Sequence, residues 1–131
     1  MSTTQPIRNI EKLESFRNYY RDIKANPRNH TLIILGLNTA LRISDILHLT
    51  WDDVYDFQTQ KLRAHITLQE QKTGKANCVY LNENALNALS SYMRTCTSKP
   101  KETDWIFRSQ KYPGTPLSRF QAYRVIREAA D

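Results

Sequence analysis

Cysteine is scarce in this chain. Two are present among 131 residues, Cys78 and Cys96, and neither stands at metal-binding spacing from the other or from the three histidines. With no secretion signal beside them, two lone cysteines read as reduced thiols of a cytoplasmic protein rather than as a disulfide framework. The signal is missing because the opening MSTTQPIRNIEK has no apolar centre. Long hydrophobic runs are missing too: the apolar stretch from Leu32 to Leu41 is interrupted by Asn38 and falls far short of a bilayer span. There is no internal repeat, low-complexity tract or linker-like stretch, so one compact domain is the default for this length.

What is present is an uneven charge. The net charge is +6, yet residues 1–60 carry seven Lys/Arg against seven Asp/Glu, while residues 61–131 carry twelve against six. A one-sided basic excess suits a polyanion such as nucleic acid, although charge alone also fits a solvated basic face.

The hydrophobic pattern predicts an α+β domain, mostly helical, with a three-stranded antiparallel sheet at one edge. Asn9 is placed to cap a first helix with Ile10, Leu13, Phe16, Tyr20 and Ile23 at helical spacing. Asn26-Pro27 restarts the chain as N-cap and first-turn proline of a helix running to about Ala40, apolar nearly all round. Ser44 is the expected cap of a short helix from Asp45 to Leu49. WDDVYDF reads as a short strand and turn. Beyond it Leu62, Ala64, Ile66 and Leu68 alternate with Arg63, His65, Thr67 and Gln69, the pattern of a half-buried strand. QKTGK turns the chain at Gly74 into a return strand, with Lys72 and Lys75 at the hairpin tip. Asn82 caps a further helix carrying Leu86, Leu89, Met93 and Cys96. Trp105-Ile106-Phe107 is a short buried segment. Ser118 and Gln121 form a capping box before a last helix with Phe120, Tyr123, Ile126 and Ala130 on its apolar side.

One residue stands out. From Leu32 to Leu49 the fully charged side chains are Arg42 and Asp45, inside TALRISDIL. An arginine buried among apolar helices costs on the order of several kcal/mol unless something compensates it. Taken alone, Arg42 and Asp45 read as an ion pair pinning a helix start, Lys72 and Lys75 as solvated hairpin residues, and Ser118 as an N-cap. Arg108, Lys111, Arg119 and Arg124 read as a solvated basic face.

The order of segments carries a sharper reading. Thr39-Ala40-Leu41-Arg42-Ile43-Ser44-Asp45-Ile46, followed by Leu49-Thr50-Trp51-Asp52-Asp53, resembles the motif T-G-L-R-x-S-E-L…L-x-W-x-D of the tyrosine recombinases, the phage and transposon integrases. The hairpin Lys72-Thr73-Gly74-Lys75 and Pro116-Leu117-Ser118 before a helix match the family's next two signatures, in the same order. The resemblance spans about Ile10 to Asp131 and covers the first part of the family's catalytic domain. It implies attack by a tyrosine hydroxyl on a DNA phosphodiester, leaving a 3′-phosphotyrosine and a free 5′-hydroxyl, with no metal and no cofactor. Chemistry of that kind needs guanidinium groups to stabilise charge on the non-bridging oxygens, which their planar fork does well. The resemblance implies Arg42 as the first such arginine, Lys72 as general acid to the leaving 5′-oxygen, and Asp45 as the acidic residue organising the site around Arg42. Lys75, Ser118 and Arg119 are lesser candidates for DNA contact, Ser118 because helix starts favour anions.

The chain also departs from the family pattern. His30, His48 and His65 are followed at the third position by Ile33, Trp51 and Leu68, so no H-x-x-R box is present. All seven tyrosines precede the place where the nucleophile belongs, and residues 1–9 are too few for the family's N-terminal domains. The expectation is a fragment: residues 1–9 a tail, residues 10–131 part of a DNA breaking-rejoining domain, itself inactive. Its parent enzyme is expected to work as a tetramer on double-stranded DNA, away from membranes, with the fragment monomeric. The alternative is a catalytically inert DNA-binding or protein-interaction module derived from such an enzyme.

Overall fold

The computed structural model describes residues 6–112 and 114–131, with side chains from residue 10 onward. Helix α1 (Pro6–Asn18) runs into a single π-helical turn, Tyr19–Ile23. Because α1 begins at Pro6, Asn9 lies inside it rather than at its start, and the expected cap is corrected. The stripe predicted for this helix is mostly open to solvent: Ile10, Leu13 and Ile23 are exposed, and Tyr20 is the member that is buried. Tyr20 reaches across the chain to donate its hydroxyl to the Val125 carbonyl at 2.7 Å, joining the first and last helices around a small core with Ile33 and Ala129.

Helix α2 (Pro27–Asn38) starts as the sequence indicates, with the Asn26 side chain accepting the Asn29 N–H at 3.1 Å. It ends at Asn38, where Thr39 turns extended and returns its hydroxyl to the Leu35 carbonyl at 2.7 Å. Leu32, Ile33, Ile34 and Leu35 are all buried, which makes α2 the central helix. Helix α3 (Ile43–Leu47) is capped by the extended residue Arg42 and not by Ser44, which sits in its first turn.

Trp51–Val54 forms one helical turn, α4, where a strand was expected. The cause is local: the Asp53 carboxylate folds back onto the Thr50 N–H at 2.8 Å. Strand β1 (Tyr55–Asp56) then pairs with β2 (Lys61–Leu62), and β3 (His65–Gln69) pairs with β4 (Ala76–Tyr80), both antiparallel. The expected three-stranded sheet is therefore two two-stranded ladders. The break falls at Arg63-Ala64. Arg63 is tied to α4, its N–H on the Val54 carbonyl at 2.8 Å and its Nε on the Asp52 carbonyl at 2.9 Å, while the Ala64 carbonyl takes the Leu81 N–H. Ala64 is consequently exposed, whereas Ile66 is buried and Leu68 half-buried as the alternation indicates. Gly74 adopts φ +73° at the β3–β4 tip, a conformation suited to glycine.

Helix α5 (Glu83–Thr95) is capped by Asn82 and packs on α2 through Ala85, Ala88 and Leu89, with Leu86, Met93 and Cys96 half-buried beside them. Ile106 and Phe107 are fully buried, and the Thr50–Trp105 bridge stitches this segment to α4. Helix α6 (Arg119–Ala130) carries the expected capping box but buries a different face. Ala122 and Ala129 are buried and Val125 half-buried, whereas Phe120 is 70% exposed and Tyr123 44% exposed. Among the described residues, no helix is long and apolar enough to cross a membrane.

Candidate active site

Three parts of the fold converge on one open cleft of about 650 Å³. The entry to α3 contributes Arg42, Ile43, Ser44 and Asp45, the β3–β4 hairpin contributes Gln71 and Lys72, and the first turns of α6 contribute Arg119 and Tyr123. Of the residues singled out in the sequence, Arg42, Asp45, Lys72 and Arg119 thus come together. Ser118 and Lys75 do not line the cleft.

Arg42 is not buried among apolar helices. It occupies the N-cap position of α3 with an extended backbone (φ −71°, ψ 155°), which swings its side chain out of the core. The side chain is 52% exposed, and its guanidinium lies 3.8 Å from the Glu70 carboxylate. Asp45 is the buried member of the pair, at 4% exposure, and its carboxylate accepts the Gln71 backbone N–H at 2.7 Å. No ion pair joins Arg42 to Asp45 among the described residues. The arrangement expected around Arg42 is therefore corrected: Asp45 clamps the hairpin one residue before Lys72, and Glu70 faces the guanidinium.

Glu70 was not evident from the sequence, where it is one acid in a polar hairpin. In the structure it organises that hairpin. Its carboxylate accepts the Thr73 hydroxyl at 2.7 Å and the Asn77 amide at 3.2 Å, and its carbonyl accepts the Gly74 N–H at 2.8 Å. Lys72 is exposed and has no ion-pair partner among the described residues. Lys75 is held by its backbone, its carbonyl on the Glu70 N–H at 2.8 Å and its N–H on the Thr73 hydroxyl at 3.2 Å. The Ser118 hydroxyl accepts the Gln121 N–H at 3.1 Å, so its first role is the cap. His48 faces Trp105 edge-on at 5.9 Å and meets the Ser44 carbonyl, a packing residue outside the cleft.

Chemically, the cleft presents two guanidinium groups and one ammonium, Arg42, Arg119 and Lys72. Among the described residues its one lining carboxylate, Asp45, is already committed to a backbone N–H. That is an anion receptor with planar forks and a point charge, the composition suited to a phosphodiester. No cluster of three or more His, Cys, Asp or Glu side chains suited to a metal occurs among the described residues.

The chain belongs to the Phage integrase family, whose sequence pattern matches residues 8–131. A Bacillus subtilis (strain 168) protein named Probable integrase/recombinase YoeC is 37% identical over 130 residues, covering 99% of this chain and 65% of that protein. The chain thus spans just under two thirds of this curated relative. Among solved structures, XerA recombinase superposes with a TM-score of 0.68 at 20% identity, over 91% of this chain and 40% of that one. The Tn1549 transposon integrase in complex with circular intermediate DNA superposes with a TM-score of 0.58 at 21% identity, over 97% of this chain and 43% of that one. At such identities the likeness concerns the fold: helices with small antiparallel sheets, as in the catalytic domains of tyrosine recombinases.

Proposed function

We propose that this chain is the first part of the catalytic domain of a site-specific DNA recombinase, whose parent enzyme cleaves and rejoins double-stranded DNA through a 3′-phosphotyrosine. The observation that carries the reading is the convergence of Arg42, Lys72 and Arg119 on one cleft. In this scheme Arg42 grips the non-bridging oxygens of the scissile phosphate and offsets the charge that grows there during attack. Lys72 donates the proton that the departing 5′-oxygen needs. Asp45 acts on Lys72 indirectly, by fixing the hairpin backbone at Gln71. Arg119, at the start of α6, adds a phosphate contact, with Ser118 and Lys75 as weaker contributors at the margins. Residues 10–131 form this breaking-rejoining unit and residues 1–9 precede it. The parent works as a tetramer on DNA in the cytoplasm and needs no cofactor.

The chain by itself is inactive in this reading, because its own residues include no H-x-x-R box and no tyrosine at the family's nucleophile position. It retains DNA binding that weakens steeply with salt. The test is a nicked duplex that traps covalent intermediates. No protein–DNA adduct is expected with this chain, but salt-sensitive binding is, and Arg42→Ala should weaken it. A tyrosine-linked adduct refutes the inactivity. Equal DNA affinity of wild type and Arg42→Ala refutes the phosphate role of the cleft and favours a module that meets proteins instead.

A further inference from the structure

Arg28 is a cation that the cleft above does not use. It stands in the first turn of α2, directly after Pro27, and that turn contains no acidic residue. Its Nε donates to the Asn29 side-chain oxygen at 3.0 Å and a terminal nitrogen donates to the Arg108 carbonyl at 3.0 Å. Both acceptors are neutral, and Arg28 has no ion-pair partner among the described residues. The group is half-buried, and burial lowers its pKa. Two effects therefore oppose its charge within the folded chain. The positive end of the helix dipole repels a cation at this position, and desolvation penalises it again.

The neighbourhood deepens the imbalance. One cleft lined by Arg28 is also lined by Arg108, and a second cleft lined by Arg28 is also lined by Lys111 and Arg124. The one acid lining either cleft among the described residues, Glu128, is already engaged by Lys24 at 3.0 Å and the Tyr19 hydroxyl at 3.1 Å. Helix α6 stands between this locus and the Arg42 cleft: Arg119 and Tyr123 line the cleft, while Gln121 and Arg124 line the Arg28 side. An α-helix with its side chains is roughly 10–12 Å across, so the two loci cannot hold the same phosphate.

We propose that Arg28, oriented by Asn29 and the Arg108 carbonyl and flanked by Arg108, Lys111 and Arg124, holds a second phosphate of the DNA duplex, separate from the one gripped by Arg42. The proposal rests on the DNA reading above. A contact of this type positions the duplex and carries no base preference.

The test pairs a DNA measurement with one that needs no DNA. On a short duplex of arbitrary sequence, Arg28→Met should weaken binding roughly tenfold and reduce the slope of log affinity against log salt by about 0.9. Arg28→Lys should fall between the two, since it keeps the charge but loses the fork. The melting temperature of Arg28→Met should change little, because two hydrogen bonds are lost while a part-buried cation without an ion-pair partner is removed. Unchanged affinity and salt slope overturn the proposal, as does a lower melting temperature with unchanged binding. In parallel, inorganic phosphate titrated into the wild-type chain should shift the Arg28 Nε–H resonance in a saturable way. Absence of that shift overturns the site even if Arg28→Met both melts early and binds DNA poorly. A wild-type chain that binds no duplex at low salt defeats the DNA reading and the DNA occupant together, and the phosphate titration then judges the anion site alone.

Discussion

Replacing Asp45 tests the geometry of the cleft most directly. Asp45 is 4% exposed and its carboxylate receives the Gln71 N–H at 2.7 Å, a charge-assisted bond between the start of α3 and the β3–β4 hairpin. A hydrogen bond to an ionised acceptor contributes roughly 1.5–3 kcal/mol. Gln71 is exposed, so in Asp45→Ala its freed N–H regains water, which puts the cost near the lower figure. For a chain of this length that is a fall in melting temperature of roughly 5–8 °C. Asp45→Asn keeps a neutral acceptor and should lose less.

The informative comparison is with Arg42. If Asp45 held the guanidinium in the core, removing either partner would strand a buried charge at a cost of roughly 3–5 kcal/mol, and the two substitutions would be strongly coupled. In the structure Arg42 is 52% exposed and pairs with Glu70 at a loose 3.8 Å. An exposed pair of that kind contributes about 0–1 kcal/mol, so Arg42→Ala should leave stability nearly unchanged. A double-mutant cycle by urea unfolding should give a coupling near zero between Asp45→Ala and Arg42→Ala. Hydrogen exchange adds a local readout: the Gln71 amide should be protected in wild type and in Arg42→Ala, and unprotected in Asp45→Ala. A coupling above about 1 kcal/mol, or a protected Gln71 amide in Asp45→Ala, refutes the reasoning.

Two further expectations concern pH. Burial pushes the hydroxyls of Tyr20 and Tyr92 each up to about 12, and each donates to a backbone carbonyl, of Val125 and Ile106 respectively. A folded-state pKa above the unfolded value of about 10 means stability that is whole below pH 10 and lost between there and 12. The urea midpoint should therefore drop across that window, and less so in a Tyr20→Phe, Tyr92→Phe double variant; an equal drop would count against the assignment. His30 is shifted the other way, lowered first by burial and then by the Arg21 charge, and its buried Nδ1 has no hydrogen-bond partner among the described residues. Its contribution is present above the ordinary histidine value of about 6.5 and is lost as pH falls below it, so His30→Gln should flatten the acid side of the stability profile. An unchanged acid slope would show that other groups govern it.

The features legible in the sequence are those that act over a few residues. Asn26, Asn82 and Ser118 with Gln121 cap their helices as the pattern indicates, because each closes a hydrogen bond within three residues. The β3–β4 alternation and the turn at Gly74 are equally local. Features set by distant neighbours were not legible. Spacing marks Phe120, Tyr123, Ile126 and Ala130 as the apolar side of α6, but the Tyr20 hydroxyl comes within 2.7 Å of the Val125 carbonyl. That approach calls for the small residues Ala122 and Ala129 on the contact face. The missed helical turn at Trp51 is a different failure. Thr50-x-x-Asp53 is itself a capping signature, and the aromatic residues around it hid the signal.

The cleft shows the same division. Motif order brought Arg42 and Lys72 to one place, and the fold places both in the same cleft. Motif order assigned Asp45 to organise the site around Arg42, but the Asp45 carboxylate meets the Gln71 N–H and Arg42 lies beside Glu70. A guanidinium locked to a buried carboxylate would need to break a strong bond before taking a phosphate. The chain avoids this by separating the two tasks. Asp45 is buried and commits its charge to the Gln71 backbone, which stabilises the fold. Arg42 is left at the surface, restrained by an acid whose carboxylate oxygens already accept from Thr73 and Asn77. A contact that long and that exposed exchanges at little cost, so the Arg42 side chain can leave Glu70 without disturbing the Asp45 clamp on the hairpin. The residue that a hydrophobic setting marked as a buried cation is in this way exposed, and its ion pair with Glu70 contributes little to folding.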